Sequence, residues 1–285
     1  MLCTMDELRA LTVKLERCFL KLTGTYERQP RETSSKALQK LGREYGIKII
    51  TKDSLVCRDI RYDAATRSQV VAAKEKLING LRVYSPKIIK KSGVEQIILC
   101  RNLTVSGTVN NIFAISGLAM VGYDVVDTLF LDAGNFATAG NNWIGERVFH
   151  HELYHAIDYR DSWFGYIDSE WKYLQGPNFK YGYDILRERM KTFDRGVLGE
   201  RVIRDYEIKG VEARPSNEAG FVSDYARISY VEDKAEVFAS LITDYKKTMA
   251  RTRRDLPLKR KVEHMKTLLA KFCSDFNDDF WKSRA

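Results

Sequence analysis

The sequence predicts an α+β fold in which a small mixed β-sheet lobe is followed by a helical lobe. Short runs of β-favouring residues, separated by Gly-bearing turns, recur up to residue 132. From Trp143 onward, apolar residues recur at helical spacing instead. The 285 residues, of which 44% are hydrophobic, suffice for one large domain or for two lobes around a shared core. We therefore expect an N-terminal α/β lobe over residues 1–135, including the sheet, and a helical lobe over residues 136–285.

The expected elements follow in chain order. In the first lobe, helices are expected at 5–22, 33–45 and 64–79. Strands are expected at 47–51, 87–90, 95–100, 111–115, 118–121 and 128–132. In the second lobe, helices are expected at 143–159, 184–194, 200–209, 230–247 and 257–272, with loops at 160–183 and 211–220. No segment repeats another, which argues against a repeat architecture.

The composition narrows the class of protein. Aromatic residues reach 11% and prolines number only 5, which excludes collagen-like and disordered chains. No run of 18 apolar residues predicts a transmembrane helix. Charges interrupt the first 22 residues, where a secretory signal would need an apolar core, so we expect either a cytoplasmic protein or one exported by a specialised route. The five scattered cysteines form no CxxC pair and are expected to be reduced.

A basic segment covers residues 246–266. It holds nine Lys or Arg against Asp255 and Glu263, a net charge of +7 within a chain of net charge +9. Such a segment could bind nucleic acid or an acidic membrane surface. It could equally be the solvated face of a helix, and the lack of interleaved aromatic residues favours that interpretation. The sequence does not predict an oligomeric state.

The motif that carries chemistry is HExxH, which reads His-Glu-Leu-Tyr-His at residues 151–155. In a helix, positions four apart lie on one face, so His151 and His155 can direct ring nitrogens at one ion about 2 Å away. Glu152 is placed to take a proton from the attacking water rather than to bind the ion. The chain has only 4 histidines, so chance is a poor explanation for this motif. His150 faces elsewhere and is expected to pack or to support a ligand.

A catalytic zinc site needs a third protein ligand and an open position for water. Position 161, where a histidine would extend the motif, is Asp161, and His264 lies in the basic segment. The stronger candidate is a carboxylate of the helix expected at 230–247. Glu232 and Glu236 lie four apart beside an apolar stripe, and a metal would remove the repulsion between them. Glu232 would then be a ligand and Glu236 would hold the free N–H of a ligand histidine, unless both only complement the positive helix N-terminus.

Two segments, HELYHAID and GFVSDYARISYVEDKAEVFASL, resemble the gluzincin metallopeptidases. The likeness is to the catalytic domain of anthrax lethal factor, the bacterial Pro-Pro endopeptidases and a group of candidate zinc-binding metallopeptidases. In that group a Tyr lies seven residues before the ligand Glu and another Glu follows four later, which Tyr225, Glu232 and Glu236 match. The resemblance implies that Tyr225 donates its phenolic proton to the oxyanion of the tetrahedral intermediate. It also implies that Asp158 has an orienting role.

The resemblance further implies a zincin-like fold and a zinc-dependent endopeptidase with a protein or peptide substrate. One Zn²⁺ ion would be held by His151, His155 and Glu232. One departure from the group is Tyr154, where such motifs often have Gly. Two other functions stay open, namely a nucleic-acid-associated basic protein and an inactive zinc-binding interaction module. Glu152 argues against the second of these, because a structural zinc site needs no base.

Overall fold

The computed structural model describes residues 26–28, 32–33, 36–52, 55–57, 60–105, 114–116, 128–138, 142–161, 168–182, 184 and 218–285. Contacts divide the chain into two compact units, Met1–Arg160 and Asp161–Ala285. The predicted boundary at residue 135 separates two lobes by their expected roles, which this division by contacts does not test, so it stays a prediction. The helices predicted at 5–22 and 200–209, the strand at 118–121 and all but the first residue of the helix at 184–194 lie outside the described residues.

The described part of the first unit combines one mixed sheet with helices. Its strands are β1 (Tyr26–Arg28), β2 (Glu32–Thr33), β3 (Lys48–Lys52), β4 (Leu55–Cys57), β5 (Ile60–Ala64), β6 (Gln96–Val105), β7 (Ala114–Ser116) and β8 (Thr128–Asp132). Its helices are α1 (Lys36–Tyr45), α2 (Arg67–Arg82), α3 (Pro86–Ser92), α4 (Ala133–Thr138) and α5 (Asn142–Asp161). The predicted α+β class, with a mixed sheet and many helices, is confirmed.

Strand β6 organises the sheet. Its first half pairs in parallel with both β3 and β8, and its second half pairs antiparallel with β5. Strand β7 extends the sheet beyond β8, while β4 and β1 follow β5, and β2 follows β3. Ile97 to Cys100 of β6 and all five residues of β8 are buried. Unbroken buried runs of this kind are typical of central parallel strands that are covered on both faces.

The strand predicted at 87–90 is wrong, because helix α3 occupies those residues. Ser85 caps the helix by accepting a hydrogen bond from Ile88 N at 3.3 Å, and Pro86 suits the first helical position because its missing N–H would be unpaired there anyway. Gly93 ends the helix with a φ of 75°, a left-handed conformation that glycine adopts without strain. Ile88 and Ile89 are buried on one side of this short helix. Two adjacent β-branched residues of this kind also favour a strand, which explains the wrong prediction.

Strands β4 and β5 lie where the sequence predicts none. They are three and five residues long and gain their stability from pairing with each other and with β6, which a local pattern does not reveal. Ala64 pairs with Cys100 in this sheet, so helix α2 begins at Arg67 rather than at 64. Thr66 and Gln69 form a capping box at that point.

All regular secondary structure among the described residues of the second unit is helical. Its elements are α6 (Ser169–Leu174), a 3-10 turn (Tyr225–Arg227), α7 (Tyr230–Thr243), α8 (Tyr245–Thr252), α9 (Leu256–Phe272) and α10 (Asp278–Lys282). The helix predicted at 257–272 is confirmed, and Asp255 caps it by accepting a hydrogen bond from Leu258 N at 3.1 Å. In the part of the chain that the structure describes, no helix is both long enough and apolar enough to cross a bilayer.

Two predictions for the second unit need correction. The predicted loop at 160–183 contains helix α6, which Asp168 caps by accepting a hydrogen bond from Trp171 N at 2.9 Å. The single helix predicted at 230–247 is two helices, because Asp244 leaves the helical region at φ −134° and ψ 40°. The break separates the helix that carries Glu232 from the basic helix α8.

Candidate metal centre

Helix α5 carries the HExxH motif, and contacts within the first unit fix its position. A Cβ added to Gly80 of α2 would lie 2.8 Å from Phe149 Cδ1, so a larger residue at this position would push α2 and α5 apart. The Tyr84 hydroxyl lies 2.6 Å from Nδ1 of His150, and both side chains are buried. His150 therefore packs against Tyr84, and packing was one of the two roles predicted for it. These contacts hold the two residues that immediately precede the motif.

The two histidines of the motif face each other. Nε2 of His151 lies 3.0 Å from Nε2 of His155, the ring planes meet at 82°, and both side chains are buried. Two nitrogens that bind one tetrahedral zinc ion at 2.0–2.1 Å are separated by roughly 3.3 Å. The observed separation is close to that value, so this pair of side chains fits a shared metal ion.

Glu232 joins the two histidines in a candidate metal site. One ligand atom from each of His151, His155 and Glu232 lies within 4.8 Å of the other two. Two imidazoles and one carboxylate are a donor set that suits zinc, and three protein ligands leave a fourth position for water. The donor types and their separation therefore fit a metal ion of this class.

The local sequence explains the position of Glu232 in the first turn of α7. The Ser229 hydroxyl caps the helix by accepting a hydrogen bond from Glu232 N at 3.2 Å. A carboxylate in the first turn also interacts favourably with the positive end of the helix. The prediction of a single apolar stripe on this helix is wrong, because every residue from Asp233 to Ile242 is buried. Neighbouring elements of the second unit, including α8, α9 and the 3-10 turn, cover α7 on several sides.

The other acidic residues predicted for the site differ in burial. Glu152 is partly exposed, which suits a base that exchanges protons with water. Glu236 is 7% exposed and Asp158 is 5% exposed. Buried carboxylates are costly unless they are hydrogen-bonded or paired, so their surroundings must stabilise them. The supporting roles of Glu236 and Asp158 stay predictions.

Tyr225 is the predicted residue for stabilising an oxyanion. Tyr230, two residues before Glu232 at the start of α7, is its rival for that role, and the environments of the two side chains differ. Tyr225 opens the 3-10 turn and is 49% exposed. Tyr230 is packed, with Lys172 Nζ 4.5 Å from its ring centroid and the Tyr181 ring edge-on at 6.4 Å. The turn that carries Tyr225 is anchored by Arg227, which is 2% exposed and forms an ion pair with Asp224 at 3.0 Å. A half-exposed phenol on an anchored turn is the more accessible of the two.

A buried polar cluster lies next to Glu232 in sequence and was not predicted. Asp233 Oδ2 accepts hydrogen bonds from Trp171 Nε1 at 2.9 Å and from the Tyr181 hydroxyl at 2.6 Å. Lys261 Nζ lies 2.8 Å from the same oxygen, and the Asp233 and Lys261 side chains are both 0% exposed. Burial raises the pKa of the Asp233 carboxyl and lowers the pKa of the Lys261 ammonium, while the attraction between the two groups opposes both shifts.

Lys261 also connects this cluster to the turn before the 3-10 helix. Its Nζ donates to Gly220 O at 2.8 Å and lies 4.0 Å from the centroid of the Phe221 ring. Gly220 has a φ of 88°, and its N–H donates to both carboxylate oxygens of Asp255 at 2.8 and 2.9 Å. The spacing of residues along α9 indicates that Lys261 is buried. Lys261 shares its spacing along α9 with the buried residues Leu258, Val262 and Met265.

His264, the weaker candidate for a third ligand, takes part in a different contact. Its Nε2 lies 3.1 Å from Asp168 Oδ2, and its Nδ1 lies 3.4 Å from Glu170 Oε1. Burial alone would raise the pKa of Asp168, but hydrogen bonds from His264 and from Trp171 N hold that pKa below its usual value. Both ring nitrogens of His264 thus face carboxylates of the cap and first turn of α6, and the candidate metal group does not include His264.

Comparisons with known proteins add little to this picture. No family model matches the chain, and no curated protein matches it. Among solved structures, a candidate zinc-binding metallo-peptidase from Bacteroides caccae is similar, with 16% sequence identity and a TM-score of 0.49 over 89% of this chain and 94% of that chain. A likeness at this level carries no argument about function. Any inference about function therefore has to come from the side chains themselves.

Proposed function

We propose that this protein is a zinc-dependent endopeptidase of the gluzincin type with a zincin-like catalytic fold. The observation that carries the proposal is the grouping of His151, His155 and Glu232, whose ligand atoms lie within 4.8 Å of one another. The position of Glu152 beside His151 on the same helix supports catalysis over a purely structural site. The sequence resemblance to lethal factor and the Pro-Pro endopeptidases supports this proposal.

In the proposed mechanism, His151, His155 and Glu232 would hold the ion. The ion, when bound, supplies Lewis acidity that polarises the scissile carbonyl and makes water acidic enough to lose a proton near neutral pH. Glu152 accepts the proton of the attacking water and delivers it to the leaving amine. The water oxygen first bonds to the carbonyl carbon, which gives a tetrahedral intermediate with negative charge on the former carbonyl oxygen. The peptide C–N bond breaks when this intermediate collapses and the amine takes up the proton, so one carboxyl group and one amine result.

Three further side chains have assigned roles in this proposal. Tyr225 donates its phenolic proton in a hydrogen bond to the carbonyl oxygen as negative charge develops there. A phenol suits this task because it donates without carrying a charge of its own. Glu236 accepts the free ring N–H of a ligand histidine, which fixes the orientation and basicity of the imidazole, and Asp158 supports the same arrangement.

The experiment that tests the proposal compares the wild type with Glu152→Gln, with Glu146→Gln on the same helix as a matched control. Zinc content is measured for all three proteins, and cleavage is measured on a mixed peptide library by mass spectrometry. We expect one zinc per chain in each protein. We expect cleavage by the wild type and the control, and a loss of at least about a hundredfold in Glu152→Gln because the general base is removed.

Each contrary outcome has a distinct meaning. Stoichiometric zinc with no cleavage in any protein would favour the inactive zinc-binding module over the peptidase. Equal cleavage by wild type and Glu152→Gln would remove Glu152 from the mechanism. Absence of zinc from all three proteins would refute the metal site itself.

A further inference from the structure

The basic segment at 246–266 divides into two sets of charges with different surroundings. Three of its cations are satisfied inside the second unit. Lys261 pairs with Asp233 at 2.8 Å, Arg251 pairs with Asp255 at 3.0 Å, and Lys266 donates to the Tyr245 hydroxyl at 2.8 Å. The remaining six cations are exposed. They form what we call the basic face, which consists of Lys246, Lys247, Arg253, Arg254, Lys259 and Arg260.

The basic face carries almost no compensating negative charge. Lys259 has one carboxylate partner, Glu263, at 3.9 Å with both side chains more than half exposed, and such pairs contribute little. Among the described residues, the other five members of the face make no ion pair. Exposed like charges on consecutive elements of one unit repel one another, and a surface of opposite charge would relieve that repulsion.

Helix geometry keeps these cations on the outer sides of α8 and α9. In α8, Lys246 and Lys247 are exposed while Thr248 and Thr252 are buried. Arg253 caps α8 in a right-handed helical conformation and follows Lys246 by seven residues, close to two helical turns, so it continues the side of the helix that carries Lys246. Arg254 lies next to it in the turn after α8 and is also exposed. In α9, Lys259 and Arg260 lie one turn after the first residue, Leu256.

Leu256 is the feature that separates this surface from an ordinary solvated helix. It is 59% exposed and follows Arg253 and Arg254 at the turn between α8 and α9. No other large hydrophobic side chain of residues 245–272 is exposed to this degree. An exposed leucine beside several cations gains nothing from phosphates on a nucleic acid backbone, and no exposed aromatic ring is present here for stacking on bases. A lipid bilayer offers both anionic headgroups and an apolar interior.

We propose that the basic face docks on an anionic lipid bilayer, with Leu256 inserted at the boundary between headgroups and acyl chains. The six cations supply attraction to acidic headgroups, and each Lys or Arg near such a surface changes affinity by about fivefold. Leu256 adds an apolar contact that a purely electrostatic ligand cannot use. The proposal is independent of zinc and of peptidase activity, because none of the proposed site residues belongs to this surface.

The test is co-sedimentation of the full chain with vesicles. One set contains phosphatidylcholine alone, and the other contains about a third phosphatidylserine. The variants are Arg253→Glu with Arg254→Glu, and separately Leu256→Gln. The matched control is Lys36→Glu with Lys40→Glu, which makes the same charge change on exposed positions of α1. Thermal melts establish that every variant is folded.

We expect the wild type and the control to bind only the anionic vesicles, with affinity falling as salt is raised. The double charge reversal should weaken binding by at least about 25-fold, the product of two fivefold effects. Leu256→Gln should weaken it severalfold at unchanged salt dependence. The proposal is overturned if anionic vesicles are not bound, or if the double reversal binds as well as the wild type. Tighter binding to duplex DNA than to vesicles, with Leu256→Gln indistinguishable from wild type, would instead identify a nucleic acid surface.

Discussion

The ring nitrogens of His151 and His155 approach each other within one helix, and in a buried setting either a bound ion or a hydrogen bond between the rings makes such an approach favourable. Their Nε2 atoms are 3.0 Å apart in a buried environment. The carboxylate of Glu232 adds a negative charge and a third metal-ligating atom to this group, which suits a bound cation. Tyr225 differs from these residues because it is half exposed, which suits its proposed contact with the substrate rather than with the ion.

We expect Tyr225→Phe to lower kcat by roughly 100- to 1000-fold with little change in KM, because the phenol donates only as charge develops on the carbonyl oxygen. Zinc content should not change. The matched control is Tyr230→Phe, which removes the hydroxyl of the packed tyrosine and should leave kcat within a few-fold of the wild type. The reverse pattern in steady-state kinetics would transfer the oxyanion role to Tyr230.

Helix α7 joins two kinds of residue at its first turn. Glu232 belongs to the candidate metal group, and Asp233 is held by Trp171, Tyr181 and Lys261. The three donors come from distant positions in the chain, so the cluster ties α6 and α9 to the start of α7. A residue with this many partners fixes the rotation of the helix about its axis, and with it the direction of the neighbouring Glu232.

We expect Asp233→Asn to lower the free energy of unfolding by about 3–5 kcal/mol, because Lys261 would keep a buried charge without its partner. Lys261→Met should lower the free energy of unfolding by a similar amount, because Asp233 would then keep a buried negative charge without its partner. The double variant should cost less than the sum of the two single changes, since no buried charge would remain. Urea unfolding followed by circular dichroism gives the values.

The control for this cycle is the exposed pair Lys259 and Glu263, which lie 3.9 Å apart. Lys259→Met and Glu263→Gln should each change the free energy of unfolding by less than about 1 kcal/mol. If Asp233→Asn were as mild as these controls, the buried pair would not stabilise the start of α7.

At the scale of the whole molecule, the proposed metal binding would be coupled to the stability of the fold. A ligand that binds only the folded protein stabilises it by mass action, by about 4 kcal/mol when free zinc exceeds its dissociation constant a thousandfold. Removing zinc with a chelator should therefore lower the melting temperature, and adding zinc back should restore it. His155→Gln should abolish this response, whereas Glu152→Gln should retain it. A melting temperature indifferent to zinc in the wild type would contradict the proposed ligand set.

The sequence by itself determined the α+β class and the helix that carries HExxH, because both follow from local spacing along the chain. A helix places residues four apart on one face whatever surrounds it, so His151 and His155 could be paired without a structure. The capped starts of α7 and α9 are also local. Short strands such as β4 and β5 could not be predicted, because their stability comes from partners far away in sequence.

Only the tertiary structure decided which members of a uniform charge run are internal. Lys261 and Arg260 are neighbours of the same type, yet one is buried against Asp233 and the other is exposed. The grouping of Glu232 with the two histidines likewise involves residues about 80 positions apart, which no local pattern in the sequence brings together. Side-chain type limits what a residue can do, but its neighbours in space determine whether its charge is neutralised within the fold or presented to a partner.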